Sequence, residues 1–273
     1  MTMSISARRC LSAAAAIGAA TGVAFAGGGA AHAATGGYVA LGDSYSSGVG
    51  AGDYTSSSGS CDRSTNAYGQ LWANANSPST FSFEACSGAT TSDVLSSQLG
   101  ALNSGTSLVS ITIGGNDVGF SNVMETCVLD STSTCVSAID TAESEARSQL
   151  PAKLDSVYSA IRSDAPHAHV VVMGYPELYD LSNSWFCIGL STTDRTDLNQ
   201  ASDILDGVIQ AQAAVYGYTY VDVRPYFSGH EICDFGSEWL HSVNLLDISE
   251  SYHPTASGQE DAYYPALEAG VAK

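Results

Sequence analysis

Four short runs rich in Val, Ile and Tyr recur along the chain: Tyr38–Leu41, Leu108–Ile113, Val170–Met173 and Thr219–Val223. A run as continuously apolar as Val170-Val171-Val172-Met173 suits a strand covered on both faces, the condition of a parallel sheet. Between the runs the period changes. Leu198, Ala201, Leu205, Val208 and Ile209 recur at helical spacing within Asp194–Tyr216, and Asp194 or Thr196 is the expected cap of that helix. Residues 137–163 read as one or two further helices, with Pro151 marking a kink or a new first turn. Strands alternating with helices predict a three-layer α/β/α domain around a central parallel sheet. No internal repeat or long linker divides the chain, so a single domain over residues 34–273 is expected.

Residues 1–33 read as an export signal. Arg8 and Arg9 open it, an Ala-rich apolar stretch follows from Leu11 to about Ala26, and Ala31-His32-Ala33 forms an A-x-A cleavage site. Glycines interrupt the stretch, which falls short of a transmembrane helix, and no second span of that length follows. Export predicts a secreted protein without an integral membrane segment. It also leaves six cysteines: Cys61, Cys86, Cys127, Cys135, Cys187 and Cys233. An even number in an exported chain implies disulfides. Sequence alone does not choose among their pairings, of which Cys61–Cys86, Cys127–Cys135 and Cys187–Cys233 is the simplest. A zinc site lacks any C-x-x-C or H-x-x-x-H spacing to support it.

The charge balance excludes whole classes of partner. The chain carries 9 Lys and Arg against 28 Asp and Glu, a net charge of −19. Both arginines of the leader are lost on cleavage, which leaves 7 basic side chains and a net −21. Such a surface repels nucleic acid and anionic membranes. With 44% hydrophobic and only 14% charged residues, the chain is not disordered.

Gly42-Asp43-Ser44-Tyr45-Ser46-Ser47-Gly48 follows the first predicted strand directly, and Gly114-Gly115-Asn116-Asp117 follows the second. Ligands of open α/β sheets bind beyond the carboxyl ends of the strands, so both segments fall on the functional edge. Neither a G-x-S-x-G elbow nor a phosphate-binding glycine loop is present. A third segment, Glu250-Ser251-Tyr252-His253-Pro254, places a histidine on a turn, because Pro254 biases the preceding residue away from helix. An imidazole held there can present one nitrogen to a nucleophile while its other nitrogen is oriented from behind. His167, His169 and His230 read as surface groups and His241 as the alternative base. Asp43 and Asp117 read as caps of turns or of the helices that follow them.

In order, Gly42-Asp43-Ser44, Gly88 within Cys86-Ser87-Gly88-Ala89, Gly114-Gly115-Asn116-Asp117 and Glu250-x-x-His253-Pro254 resemble the four sequence blocks of the SGNH (GDSL) hydrolases, over residues 38–258. The flanking residues are most similar to secreted actinobacterial lipases and esterases of that family. The resemblance implies a flavodoxin-like α/β/α fold and the three sequential disulfides given above. It also implies a serine esterase or lipase that cleaves carboxylic esters, lipids among them, through an acyl-serine intermediate; that chemistry needs no metal or cofactor, and a monomer is expected. Ser44 would be the nucleophile and His253 the general base, with Ser44 N, Gly88 N and the Asn116 amide as the oxyanion hole. The family has Asp where this chain has Glu250. Either Glu250 takes that place, or a backbone carbonyl near residues 250–251 orients His253 and leaves a dyad, the favoured expectation. A carbohydrate deacetylase or acyltransferase on the same site, and a non-catalytic binding domain, are the alternatives. Tyr45, Phe120, Trp185, Phe186 and Trp239 are the aromatic candidates for an acyl groove.

Overall fold

A computed structural model describes residues 36–182, 186–244 and 246–273. The expected leader and Trp185 lie outside these residues. Five strands form one parallel sheet: β1 Gly37–Gly42, β2 Phe81–Phe83, β3 Thr106–Thr112, β4 His169–Met173 and β5 Thr219–Val221, in the order β2-β1-β3-β4-β5. The order departs from β1 in both directions, so the crevice at the carboxyl end of β1 is the topological switch point where ligands of such sheets bind.

Every residue of β1 is buried, and Val170–Met173 of β4 are too, as strands covered by helices on both faces require. The covering helices include α1 Ser44–Ser47, α2 Tyr68–Asn76, α3 Phe120–Leu129, α4 Thr132–Ser148, α5 Leu150–Asp164, α6 Thr192–Val215 and α7 Tyr264–Val271. Leu150, Leu154, Val157 and Ile161 of α5 are fully buried at helical spacing against the sheet. Pro151 starts this separate helix and does not kink a longer one, since proline at a first turn forfeits no helical hydrogen bond.

Two details differ from the sequence reading. The cap of α6 is Ser191, ahead of both expected residues. Its hydroxyl accepts from Asp194 N at 3.2 Å while the Asp194 carboxylate accepts from Ser191 N at 3.1 Å, a reciprocal capping box. Strand β5 stops at Val221 because the Asp222 carboxylate accepts from Arg224 N at 3.0 Å and turns the chain.

Three disulfides join Cys61 to Cys86, Cys127 to Cys135 and Cys187 to Cys233. The first lies beside the segment that carries Gly88, and Ser87 N donates to Cys61 O at 3.0 Å. The second ties α3 to α4.

The end of β1 is fixed by a buried amide. Gln98 Nε2 donates to Gly42 O and Gln98 Oε1 accepts from Gly42 N, both at 2.8 Å. Gly42 itself has φ +126°, and a Cβ there would collide with the Thr112 carbonyl. Substituting Gln98→Leu leaves the Gly42 N–H buried without a partner, at about 1–3 kcal/mol, while Gly42 O keeps the bond it accepts from Cys86 N at 3.0 Å. Equilibrium denaturation is expected to show a loss of about 1–3 kcal/mol, and unchanged stability would contradict this role.

Candidate active site

Four loops leave the carboxyl edge of the sheet and meet there. The loop after β1 brings Asp43 and Ser44, the one after β2 brings Gly88, the one after β3 brings Gly115 and Asn116, and the one after β4 brings Tyr175. A fifth segment, near the C-terminus, brings His253. The nucleophile candidate and the base candidate are in contact across 209 positions of sequence: Ser44 Oγ lies 2.7 Å from His253 Nε2.

The other imidazole nitrogen settles the direction of that bond. His253 Nδ1 lies 3.0 Å from the carbonyl oxygen of Ser251, which can only accept. Nδ1 therefore carries the proton, Nε2 is the free acceptor, and the Ser44 hydroxyl donates to it. The Glu250 carboxylate is occupied elsewhere, accepting from Tyr54 Oη at 2.7 Å and from Asn244 Nδ2 at 3.2 Å. It ties the segment before His253 to the loop after α1. The orienting group found on the imidazole is a backbone carbonyl.

Presenting that carbonyl requires an unusual backbone. Tyr252 has φ +65°, a left-handed conformation costing a bulky residue about 1–3 kcal/mol. Its surroundings impose it. The Tyr252 carbonyl accepts from Tyr45 Oη at 2.6 Å, its N–H donates to His241 O at 2.9 Å, and its hydroxyl accepts from Tyr179 Oη at 3.1 Å. His241 N in turn donates to His253 O at 2.9 Å. The His241 ring bonds to Gly50 O at 2.8 Å, so the alternative base is a support of the segment that holds His253.

Of the three expected oxyanion donors, Ser44 and Asn116 line one pocket together, and Gly88 precedes the Ala89 carbonyl to which Asn116 bonds. Neither Ser44 N nor Gly88 N donates to an acceptor among the described residues. Gly88 has φ +74°, and a Cβ at that position would point into open space. The glycine is thus required by its backbone conformation and not by crowding. Asn116 Nδ2 donates to Ala89 O at 3.0 Å, which turns the amide toward the Gly88 loop.

Two carboxylates hold these loops together. Asp117 accepts from Thr91 N at 2.8 Å and Thr91 Oγ1 at 2.7 Å, pinning the end of the Gly88 segment to Asn116, and Lys153 stands 3.6 Å away. Asp43 caps α1 by accepting from Tyr45 N at 3.0 Å, and it also accepts from the Tyr175 hydroxyl. That hydroxyl accepts in turn from Gly115 N at 3.1 Å. Tyr175 therefore bridges the loop of the nucleophile and the loop of Asn116. No local pattern marks Tyr175 in the sequence, except that it follows a buried strand on the functional edge.

A pocket lined by Ser44, Tyr45, Asn116, Val118, Phe120 and Leu198 runs inward from the dyad, between α3, α4 and α6. Tyr45 and Phe120, two of the aromatic candidates, line this pocket. Phe186 lines a neighbouring groove, and Trp239 packs on Phe227 and His230 instead. No group of His, Cys, Asp or Glu that could hold a metal ion occurs among the described residues.

Burial governs the electrostatics. It pulls the His253 imidazole down to about 4, partly offset by the Ser251 carbonyl. Burial pushes the Asp43 carboxyl up to about 7 against the opposing bonds from Tyr175 and Tyr45 N. His253 is consequently neutral, and competent to accept a proton, throughout the neutral range. A titration of the His253 ring by NMR is expected to show the Nδ1–H form persisting to a midpoint near 4, with the same midpoint in Glu250→Gln. A midpoint at or above the ordinary value near 6.5 would contradict the burial argument.

The chain matches the family model of the GDSL-like lipase/acylhydrolases over residues 40–260. It is 64% identical to Lipase 1 of Streptomyces coelicolor, with 86% of this chain and 87% of the relative covered. Among solved structures, it superposes on phospholipase A1 of Streptomyces albidoflavus with a TM-score of 0.84 at 56% identity, covering 87% of this chain and 100% of the other. The extracellular lipase of Streptomyces rimosus gives a TM-score of 0.83 at 53% identity, covering 86% and 99%. With its sequence blocks gathered on one sheet edge, the chain belongs to the GDSL-like lipase/acylhydrolase family.

Proposed function

We propose that this protein is a secreted serine esterase of the lipase type, acting as a monomer on carboxylic esters with apolar acyl chains. The observation that carries the reading is the 2.7 Å contact between the Ser44 hydroxyl and an imidazole nitrogen free to accept its proton. The Ser44 oxygen attacks the ester carbonyl as His253 Nε2 takes the proton. The oxyanion is received by Ser44 N, Gly88 N and Asn116 Nδ2, donors fixed before substrate arrives. His253 then returns the proton to the leaving alcohol, and water, activated by the same nitrogen, releases the acid from the acyl-serine. The Ser251 carbonyl holds the imidazole through both half-reactions.

The apolar lining of the pocket beside Ser44 supports an aliphatic acyl group over an acetylated sugar. The similar proteins, a lipase and a phospholipase A1, support the same substrate class. Three disulfides support an oxidising compartment. Residues 1–33 are proposed as the cleaved export signal, and a relative named as an extracellular lipase supports it. Among the described residues no helix is long and apolar enough to cross a membrane.

Steady-state hydrolysis of a soluble p-nitrophenyl ester tests the assignment. Ser44→Ala is expected to lose on the order of 10⁴-fold or more in kcat. Asn116→Ala is expected to lose about 10²–10³-fold in kcat with little change in KM. Turnover by folded Ser44→Ala at the wild-type rate would overturn the proposal. Two further variants separate positioning from chemistry. Tyr175→Phe leaves Gly115 N and the Asp43 carboxylate without their shared partner, and should lower kcat about tenfold with KM nearly constant. Glu250→Ala removes only a tether and should cost less than about tenfold in kcat. A loss of several orders of magnitude there would return the carboxylate to the mechanism.

A further inference from the structure

Large apolar side chains are exposed on one side of the dyad. Leu129 at the end of α3 is 72% exposed, Ile188 97%, Leu246 100% and Ile248 68%. Single exposed hydrophobics are ordinary, but a contiguous set marks an interaction surface. Leu129, Ile188 and Ile248 line two grooves that share residues. One is lined by Leu129, Val128, Val243 and Ile248 and reaches His253. The other is lined by Ile188 and Phe186 and shares Val128 and Val243 with the first. Leu246 sits two residues before Ile248 in the same loop.

We infer that this apolar rim is the face on which the enzyme docks onto a neutral or zwitterionic lipid surface. The inference rests on the ester-hydrolase reading above. Two features select a lipid surface as the occupant. The first is continuity: Phe120 lines both the outer groove beside His253 and the inner pocket beside Ser44. An acyl chain moving from an aggregate to the nucleophile therefore stays against apolar side chains along the whole path. A protein seated on the rim would instead cover the entrance. The second is charge. Neither groove contains a Lys or Arg, while Glu125 lines the first and Asp130 and Glu238 the second. With a mature net charge of −21, this face repels anionic headgroups and tolerates neutral or choline-type ones.

The test compares the wild type with the triple variant Leu129→Ser/Ile188→Ser/Leu246→Ser on two substrates. One is p-nitrophenyl butyrate in true solution, and the other is sonicated phosphatidylcholine vesicles. The rim acts only on the aggregate, so the variant should hydrolyse the soluble ester within twofold of wild type. It should lose at least tenfold on vesicles, with a matching loss of vesicle co-sedimentation measured in a Ser44→Ala background. Replacing phosphatidylcholine by phosphatidylglycerol at low salt should weaken wild-type binding.

Equal activity of variant and wild type on vesicles would overturn the inference. A parallel fall on both substrates would do the same, since it would give the rim a general structural role. Tighter binding to phosphatidylglycerol would overturn the charge argument. A concentration-dependent dimer of the wild type that the variant loses would reassign the face to a second copy of the chain. Failure of the wild type on the soluble ester would instead strike the hydrolase reading itself, so the two failures are distinguishable.

Discussion

The carbonyl of Ser251 determines which nitrogen of His253 bears the proton, and the chemistry of the site follows from that assignment. A carboxylate behind a histidine both orients the ring and stabilises its protonated form. A carbonyl mainly orients. In a buried setting this leaves a weaker base that is wholly in its accepting form at neutral pH, at the expense of driving force for proton uptake. The strained backbone of Tyr252 is the structural counterpart, and its left-handed turn is held by bonds from Tyr45, His241 and Tyr179. Much of the aromatic packing near the C-terminus therefore serves the placement of a single carbonyl oxygen.

The proposed oxyanion donors depend on a second set of constraints. The three loops that carry them, after β1, β2 and β3, have to keep their relative positions to within a fraction of an ångström for preorganised donors to be effective. Side chains from neighbouring segments do this: Gln98 on Gly42, Tyr175 between Asp43 and Gly115, and Asp117 on Thr91. The two aspartates flanking Ser44 and Asn116 are thus clamps. Burial, which raises the Asp43 carboxyl to about 7, is the cost of placing a polar clamp at the floor of an apolar site.

Where burial is continuous and strands are long, the fold is legible in the residues. β1 and β4 carry near-unbroken apolar runs because helices cover both faces, β3 is marked by Leu108, Val109 and Ile111 among buried Ser and Thr, and the long helices repeat at their own period. β2 escapes such a reading: Phe81-Ser82-Phe83 is an edge strand of three half-buried residues with no apolar run to betray it. The cap of α6 is displaced because several Ser, Thr and Asp residues compete at its start, and only the reciprocal bond of Ser191 with Asp194 selects one. In the site, Ser44, Gly88, Asn116 and His253 are recognisable through blocks of local sequence. Tyr175 and Gln98 are not, because their parts rest on contacts between segments distant in sequence; the expectation of a backbone carbonyl near residues 250–251 rests on the resemblance alone, since no side chain marks the Ser251 oxygen found there. Glu250 shows the converse hazard: a carboxylate at a suggestive spacing, whose position is spent on Tyr54 and Asn244.

The most direct test of the account is covalent labelling with a fluorophosphonate, read by intact mass and by peptide mapping. The account predicts one adduct per wild-type molecule, located on Ser44, retained in Glu250→Ala and lost in folded His253→Ala. A folded wild-type protein that stays unlabelled at Ser44, or equal labelling without the imidazole, would contradict it.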